Sequence, residues 1–449
     1  MDLDVLVKVK IRISEDWPNV HEILRALKEV RDEFVSKLGN VVLEQYQEEI
    51  RTILCTPCGS RRKKGLGSHP QKDGEGRCRG RTFRKAGYWS ETRELRTDIG
   101  EVEFRVGEVE CRRCGKKFSP LLGVLGLESH QRKTEGLLKL VSEAIAETSY
   151  RRASKQLEGL SGVPVPKTTA HRWAAGVDVD ARSADDIFAA MADGTGFKKR
   201  GGRKGHVRIV IGLTDEGELK PLGVWAATGW EHISKDVRRR LRGESRPELL
   251  VTDGEQSIEK WLTKIAKRHQ RCHWHFVRDS GFELWRAGVS LKKRRKVSRK
   301  LRGMVGIEIP EEDVESVSAK DRAELLKRVE SSKEQLRGLI EEFQRKRYEK
   351  AAAYLSNASE KLFSHLDLWL ETGLIGPRTT SIIEGVIREL VRRLKKLGWN
   401  WSDPGAERMG RMVIMRRYDV EGWTQFWQNR LDLRGRCDMR IVECHPVAA

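Results

Sequence analysis

Apolar and charged residues alternate through MDLDVLVKVKIRISEDW, a strand-like period, before Ile23, Leu24, Leu27, Val30, Phe34 and Leu38 recur at helical spacing. Residues 1–50 therefore read as a strand and an amphipathic helix, suited to packing or dimerisation. RELRTDIGEVEFRVGEVE alternates again and predicts a β-hairpin. From Lys133 to Val177 the period turns helical, and TSYRRASKQLEGLSGVPVPKTTAHRWAAG reads as helix, turn, helix. Ser149 caps the first helix, Ala153 and Leu157 face its partner, and SGVPVP breaks the chain before a second helix with a polar start.

Past Asp185 the elements are a strand at Asp193, a hairpin of VRIVIGLTD and LKPLGVWAA, a helix across ISKDVRRRLR, the strand PELLVTD, a helix across SIEKWLTKIA and a short strand at QRCHWH. Three strands followed by alternating helix and strand describe a mixed sheet like that of ribonuclease H. The chain is then helical and charged to about Gly376, as an insertion would be. The expected fold class is α+β multidomain: a ribonuclease-H-like core interrupted by an all-helical insertion and preceded by a zinc β-ribbon and a helix-turn-helix. The expected boundaries are 1–50 for the strand-helix element, 51–125 for the ribbon and 130–180 for the helix-turn-helix. The core occupies 185–276 and 376–430, the insertion 277–375 and a tail 431–449.

Composition adds a partner. Lys and Arg number 87 against 66 Asp and Glu, a formal charge of +21 that favours polyanions by counterion release and steering. The first turn of the second helix would offer Lys167, Thr168, Thr169, His171 and Arg172 to double-stranded DNA. No apolar stretch approaches the roughly 20 residues of a membrane span, and the N-terminus is unlike a signal peptide, so a cytoplasmic, nucleoid-associated protein is expected.

The eight cysteines cluster as metal ligands in a reducing compartment do. CTPCG at Cys55 and Cys58 and CRRCG at Cys111 and Cys114 form two knuckles for a tetrahedral zinc ion, brought together by the hairpin. Cys78, inside the insert in RCRGR, could replace one of the four and is the weaker candidate. The intervening insert is dense in Arg and Lys and suited to phosphate or to solvent.

Three acids carry the candidate chemistry. Asp193 in MADGTGFKK and Asp253 in PELLVTDGEQ stand where an apolar run meets a glycine, so each is expected to project from a strand end. Glu384 opens a helix on which Ile383, Val386, Leu390, Leu394 and Leu397 share one face, while Glu384, Arg388, Arg392 and Lys395 share a neighbouring one. Alone, Glu384 and Arg388 fit an ordinary exposed ion pair.

Taken in order, Asp193, DGEQSIEKW, the CHWH of Cys272 to His275 and TTSIIEGVIRELVRRLKKLGWNWSDPGAERM resemble the Mutator-like DDE transposases of prokaryotic insertion sequences, over roughly residues 130–425. The zinc knuckles suit one branch of that group. Where the family pattern has Asn before the glutamate, this chain has Thr380 or Ser381. The resemblance implies that Asp193, Asp253 and Glu384 hold two Mg²⁺ or Mn²⁺ ions, and that Cys272 and His275 are an accessory CxxH pair. It further implies cleavage at transposon ends and strand transfer into target DNA, by a homodimer or higher oligomer on DNA. Arg388, Arg392 and Lys395 would steady the flanking phosphates. Two other readings use the same residues: a ribonuclease-H-like nuclease or resolvase that cuts without joining, and a domesticated DNA-binding regulator without catalysis.

Overall fold

A computed structural model describes residue 5 and residues 20–57, 66, 69, 77–78, 80–128, 130–184, 186–241, 246–310, 316–397 and 400–432. The chain divides into two compact units, one of residues up to Gly176 with the stretch from Arg430, the other of Val177–Asn429. Among the described residues no helix is long and apolar enough to cross a membrane.

In the first unit, α1 (Val20–Cys55) packs on a hairpin of β1 (Phe83–Thr97) and β2 (Gly100–Cys111), which β3 (Lys117–Phe118) extends to three strands. The strand expected before α1 falls outside the described residues. The hairpin closes at Thr97 opposite Gly100, where φ is +140° and the Thr97 hydroxyl donates to the Gly100 carbonyl. Buried Gln47 of α1 bridges to β2 with its amide, donating to the Arg105 carbonyl and accepting from the Gly107 N–H. Its neighbours Ile50 and Leu54 enter a core with Phe104, Val106 and Val109. After a short α2 (Pro120–Val124) come α3 (Glu135–Glu147), α4 (Tyr150–Ser161) and α5 (Lys167–Ala174), which pack on one another. Ser149 caps α4 by accepting from the Arg152 N–H, Gly162 ends it in the left-handed region at φ +68°, and Ala153 and Leu157 are buried.

The second unit is built on a five-stranded mixed sheet. Its strands are β4 (Ile187–Lys198), β5 (Lys204–Thr214) and β6 (Leu219–Ala226), followed after α6 (Trp230–Arg240) by β7 (Leu249–Thr252) and after α7 (Gln256–Leu262) by β8 (Arg268–Arg271). The spatial order is β6-β5-β4-β7-β8, with β4, β5 and β6 antiparallel and β4, β7 and β8 parallel. Near-continuous apolar runs, IVIGL in β5 and LLV in β7, are buried as a sheet covered on both faces requires. The strand expected at QRCHWH ends at Arg271: Cys272 starts a helix, α8 (His273–Arg286), because the next residues open an apolar stripe of 3.6 period through Phe276, Ser280 and Leu284.

Four more helices follow, α9 (Leu291–Val305), α10 (Ala319–Arg345), α11 (Glu349–Ser359) and α12 (Ser364–Thr372), sharing with α8 a core that includes Phe276, Leu301, Leu336, Leu355 and Trp369. The two ends of this helical excursion meet. The His273 N–H donates to the Arg378 carbonyl at 3.1 Å and the Arg271 N–H to the Lys361 carbonyl at 2.8 Å. The chain then returns to the sheet as α13 (Ser381–Val391), which packs on β4, and continues through α14 (Asp403–Tyr418) against β6 to α15 (Val420–Leu431).

Candidate active site and metal centre

β4 and β7 pair in parallel from Ala189 opposite Leu249 to Ala192 opposite Thr252, so Asp193 and Asp253 each follow the last paired residue of neighbouring strands. Asp253 stands at a strand end. Asp193 does not: β4 runs on to Lys198 in partnership with β5, and only its β7 side is released at that point. Asp193 accepts from the N–H of Gly194 at 2.6 Å, and Asp253 from that of Glu255 at 2.9 Å. Between Asp253 and Glu255 the chain turns at Gly254, at φ +91°, where a Cβ would lie 0.4 Å from a guanidinium nitrogen of Arg271. Only glycine fits there.

Glu384 reaches the same place from the first turn of α13. Burial pushes the Asp193 carboxyl up to about 6, and the charges of Asp253 and Glu384 push the same way, while His275 opposes them. Glu384 does not pair with Arg388 among the described residues. Its Oε1 accepts from the Thr380 hydroxyl at 3.1 Å and lies 3.9 Å from His275 Nδ1.

Thr380 is a hub that the sequence did not single out beyond its departure from the family's Asn. Its backbone N–H and its hydroxyl both lie 3.3 Å from Cys272 Sγ, and the hydroxyl is 3.1 Å from His275 Nδ1. Cys272 and His275 are 3.4 Å apart and both buried. Burial alone would raise the Cys272 thiol, but hydrogen bonds from His275 and Thr380 hold it below its ordinary value. Burial would likewise lower His275, and its bond to Cys272 raises it instead. The CxxH pair thus stands behind Glu384, one helical turn from Thr380. The signal was available in the i, i+4 spacing of Thr380 and Glu384.

Of the basic residues on α13, Arg388 is exposed. The shared face does not continue past it, because Arg392–Lys396 is a π turn, which shifts the register. Arg392 turns to Glu389 at 3.0 Å, Arg393 is buried with its guanidinium over the Trp401 ring at 5.1 Å, and Lys395 is exposed. In the first unit, Lys167, Thr168, His171 and Arg172 are exposed on α5 and Thr169 is half-buried. Trp173 is half-buried with Lys133 over its ring.

The second constellation differs from the expected knuckles. His69, Cys78, Cys111 and Cys114 present their ligand atoms all within 4.8 Å of one another. Cys55 is not among them: α1 continues through it, and its side chain packs at the edge of the hydrophobic core instead of on a turn. Cys58 lies outside the described residues, as do most of the basic positions of the insert. The Lys116 N–H, and then His69, hold the Cys114 thiol down at about 6, which favours the thiolate that a metal ligand needs. His69 lies flat on Phe118 with ring centroids 4.5 Å apart. Gly80 passes so close that a Cβ would lie 2.4 Å from Cys111 Sγ. One imidazole and three thiols on such a cradle are a donor set that holds a structural metal such as zinc.

The profile of the family described as "Transposase, Mutator family" matches residues 43–425. The chain belongs to the Mutator family of transposases. No curated protein matches it. In this Mutator-family chain the matched span contains Asp193 in β4, Asp253 just past β7, the α13 glutamate and all four residues of the His69, Cys78, Cys111 and Cys114 cluster.

Proposed function

We propose that this protein is a DDE transposase that recognises the terminal repeats of its element, cleaves there and transfers the freed end to target DNA. The observation that carries the reading is a convergence: the parallel register of β4 and β7 sets Asp193 and Asp253 side by side, and the charges of Asp253 and Glu384 both reach Asp193. Three carboxylates so gathered repel unless a cation neutralises them, and an all-oxygen donor set selects Mg²⁺ or Mn²⁺. Asp193, Asp253 and Glu384 would hold such a pair. Bound there, the ions supply activation of water or a 3′-hydroxyl and stabilisation of the leaving oxygen in displacement at phosphorus. Thr380 keeps the Glu384 carboxylate aimed. Arg388 and Lys395 would meet flanking phosphates.

The sheet order, with three antiparallel strands followed by two parallel ones, supports a ribonuclease-H-like core split by the helical excursion. The α4–α5 pair, joined by a short turn and exposing Lys167, Thr168, His171 and Arg172, supports a helix-turn-helix for end recognition. Zinc is the metal proposed for His69, Cys78, Cys111 and Cys114. Assembly as a dimer or higher oligomer on DNA belongs to the same reading.

The test is a strand-transfer assay with a pre-cleaved terminal repeat, comparing the parent with Asp253→Asn and Glu384→Gln. Both variants should bind the repeat and lose cleavage and joining by at least a thousandfold, a loss of about 4 kcal/mol or more in transition-state stabilisation. Near-parental joining by Glu384→Gln would overturn the assignment, and cleavage without joining would make the protein a nuclease.

A further inference from the structure

The helical excursion carries a feature that a scaffold does not need. Between α8 and α9 lies a groove of about 530 Å³, lined by Arg278 and Phe282 from one helix and by Leu291, Arg295, Arg299 and Arg302 from the other, with no carboxylate in its wall. Arg295, Arg299 and Arg302 are exposed, and none of them carries an ion pair among the described residues. Two other arginines of the wall are partnered: Arg278 is held by the neighbouring Asp279 and stacked on the Trp274 ring at 4.6 Å, and Arg294 donates to the Val289 carbonyl at 3.1 Å.

The aromatic residues are also out of place for a core. Trp274 is 53% and Phe282 54% exposed, on a helix whose other face buries Phe276, Ser280 and Leu284. Trp274, Arg278 and Phe282 follow at i, i+4 and i+8, so they form one stripe about 12 Å long at 1.5 Å per residue. That stripe begins at the candidate active site, for the Trp274 ring stands against His275 at 4.8 Å, and His275 lies 3.9 Å from Glu384.

We propose that this groove binds unpaired DNA, its arginines taking phosphates and Trp274 and Phe282 taking the faces of bases on the strand that leaves the active site. A duplex hides its base faces in its own stack and would meet only the charges. An unpaired strand offers both a polyanionic backbone and free π-faces, the combination for which an arginine groove edged by exposed rings is matched. This rests on the reading of the site as one that acts on DNA ends, and it adds that the end is melted there.

The test uses the full chain with its zinc in place and no Mg²⁺ or Mn²⁺ added, so that binding is read without cleavage. A fluorescent single-stranded oligonucleotide and the flush duplex of the same sequence are titrated by anisotropy. The double variant Trp274→Ala, Phe282→Ala should weaken single-strand binding roughly tenfold or more and leave duplex binding unchanged, with Trp274→Phe retaining most of the affinity. Arg295→Ala with Arg299→Ala should weaken single-strand binding and flatten its salt dependence. An unpaired 2-aminopurine at the end of a duplex should change its fluorescence on binding the parent protein and not on binding the aromatic double variant.

Parental single-strand affinity in the aromatic variant overturns the proposal, as does an unresponsive 2-aminopurine. Equal loss of duplex and single strand in the arginine variant, with the aromatic variant neutral, would make the groove a duplex cradle and equally refute it. If Asp253→Asn still cleaves while these outcomes hold, the catalytic reading fails and the groove stands.

Discussion

The Thr380 hydroxyl donates to Glu384 Oε1 at 3.1 Å across one helical turn, so the rotamer of the third carboxylate is set by a residue at the mouth of its own helix. Removing a group that orients a metal-binding carboxylate costs roughly 10–100-fold in affinity or activity. Thr380→Val should therefore raise the Mg²⁺ concentration needed for half-maximal cleavage by about that factor with DNA binding intact, and Thr380→Ser should restore it. An unshifted Mg²⁺ titration for Thr380→Val would separate Thr380 from the site.

The metal centre separates two sets of ligands. One zinc per chain should co-purify, and Cys78→Ser or His69→Ala should lower it to a small fraction, while Cys55→Ser keeps it. Elemental analysis and protease resistance before and after chelation give the readout. Retention of zinc by Cys78→Ser would return the site to the CxxC knuckles.

Gly254 should tolerate no side chain. Its φ of +91° and the Arg271 guanidinium filling the space of a Cβ make Gly254→Ala cost about 2–4 kcal/mol, read as a fall in melting temperature. Arg271 is buried against Glu259 and Tyr354, so it cannot swing aside without breaking those bonds.

Acid should unfold the second unit. Burial lowers His269 and His273 to about 4 and His365 to about 3, so each is neutral when folded and prefers a proton when unfolded. Stability is then full above the ordinary histidine value of 6.5 and is lost as pH falls from there through 4. Asp193 has the opposite sign, because its raised value makes the protonated fold the favoured one: it contributes stability below 4 that is lost as pH rises through 6. Asp193→Asn should consequently stabilise the metal-free protein at pH 7–8 by on the order of 2 kcal/mol, and a melting curve unchanged there would contradict the burial that raises it.

In the first unit, Lys167→Ala with Arg172→Ala should weaken binding to a terminal repeat several-fold and reduce the salt slope by about two. Both side chains are exposed, so the melting temperature should hold. An unchanged salt slope would take α5 out of the interface.

Much of the frame was legible because burial writes simple periods. The apolar runs of β5 and β7, the Thr97–Gly100 turn and the Ser149 cap all stand where alternation, glycine and a capping hydroxyl put them. The features that escaped depend on contacts between distant residues. His69 lies in a segment with no period to read, and its role comes from stacking on Phe118 beside Cys114. CTPC matches a knuckle's spacing, while Cys55 stands in the last turn of α1 and outside the cluster formed by the described residues. Lys395 and Arg392 were placed by a uniform 100° step, which the π turn interrupts.

The bond from the His273 N–H to the Arg378 carbonyl ties the helical excursion at its neck. A loop closed in that way adds only about 0.6 kcal/mol of closure entropy for each doubling of its length. The five helices can therefore be lengthened, trimmed or exchanged with little effect on where Glu384 sits relative to β4. In such an arrangement the part of the chain that handles a particular DNA end is free to diverge, while the part that would break the phosphodiester bond stays the same.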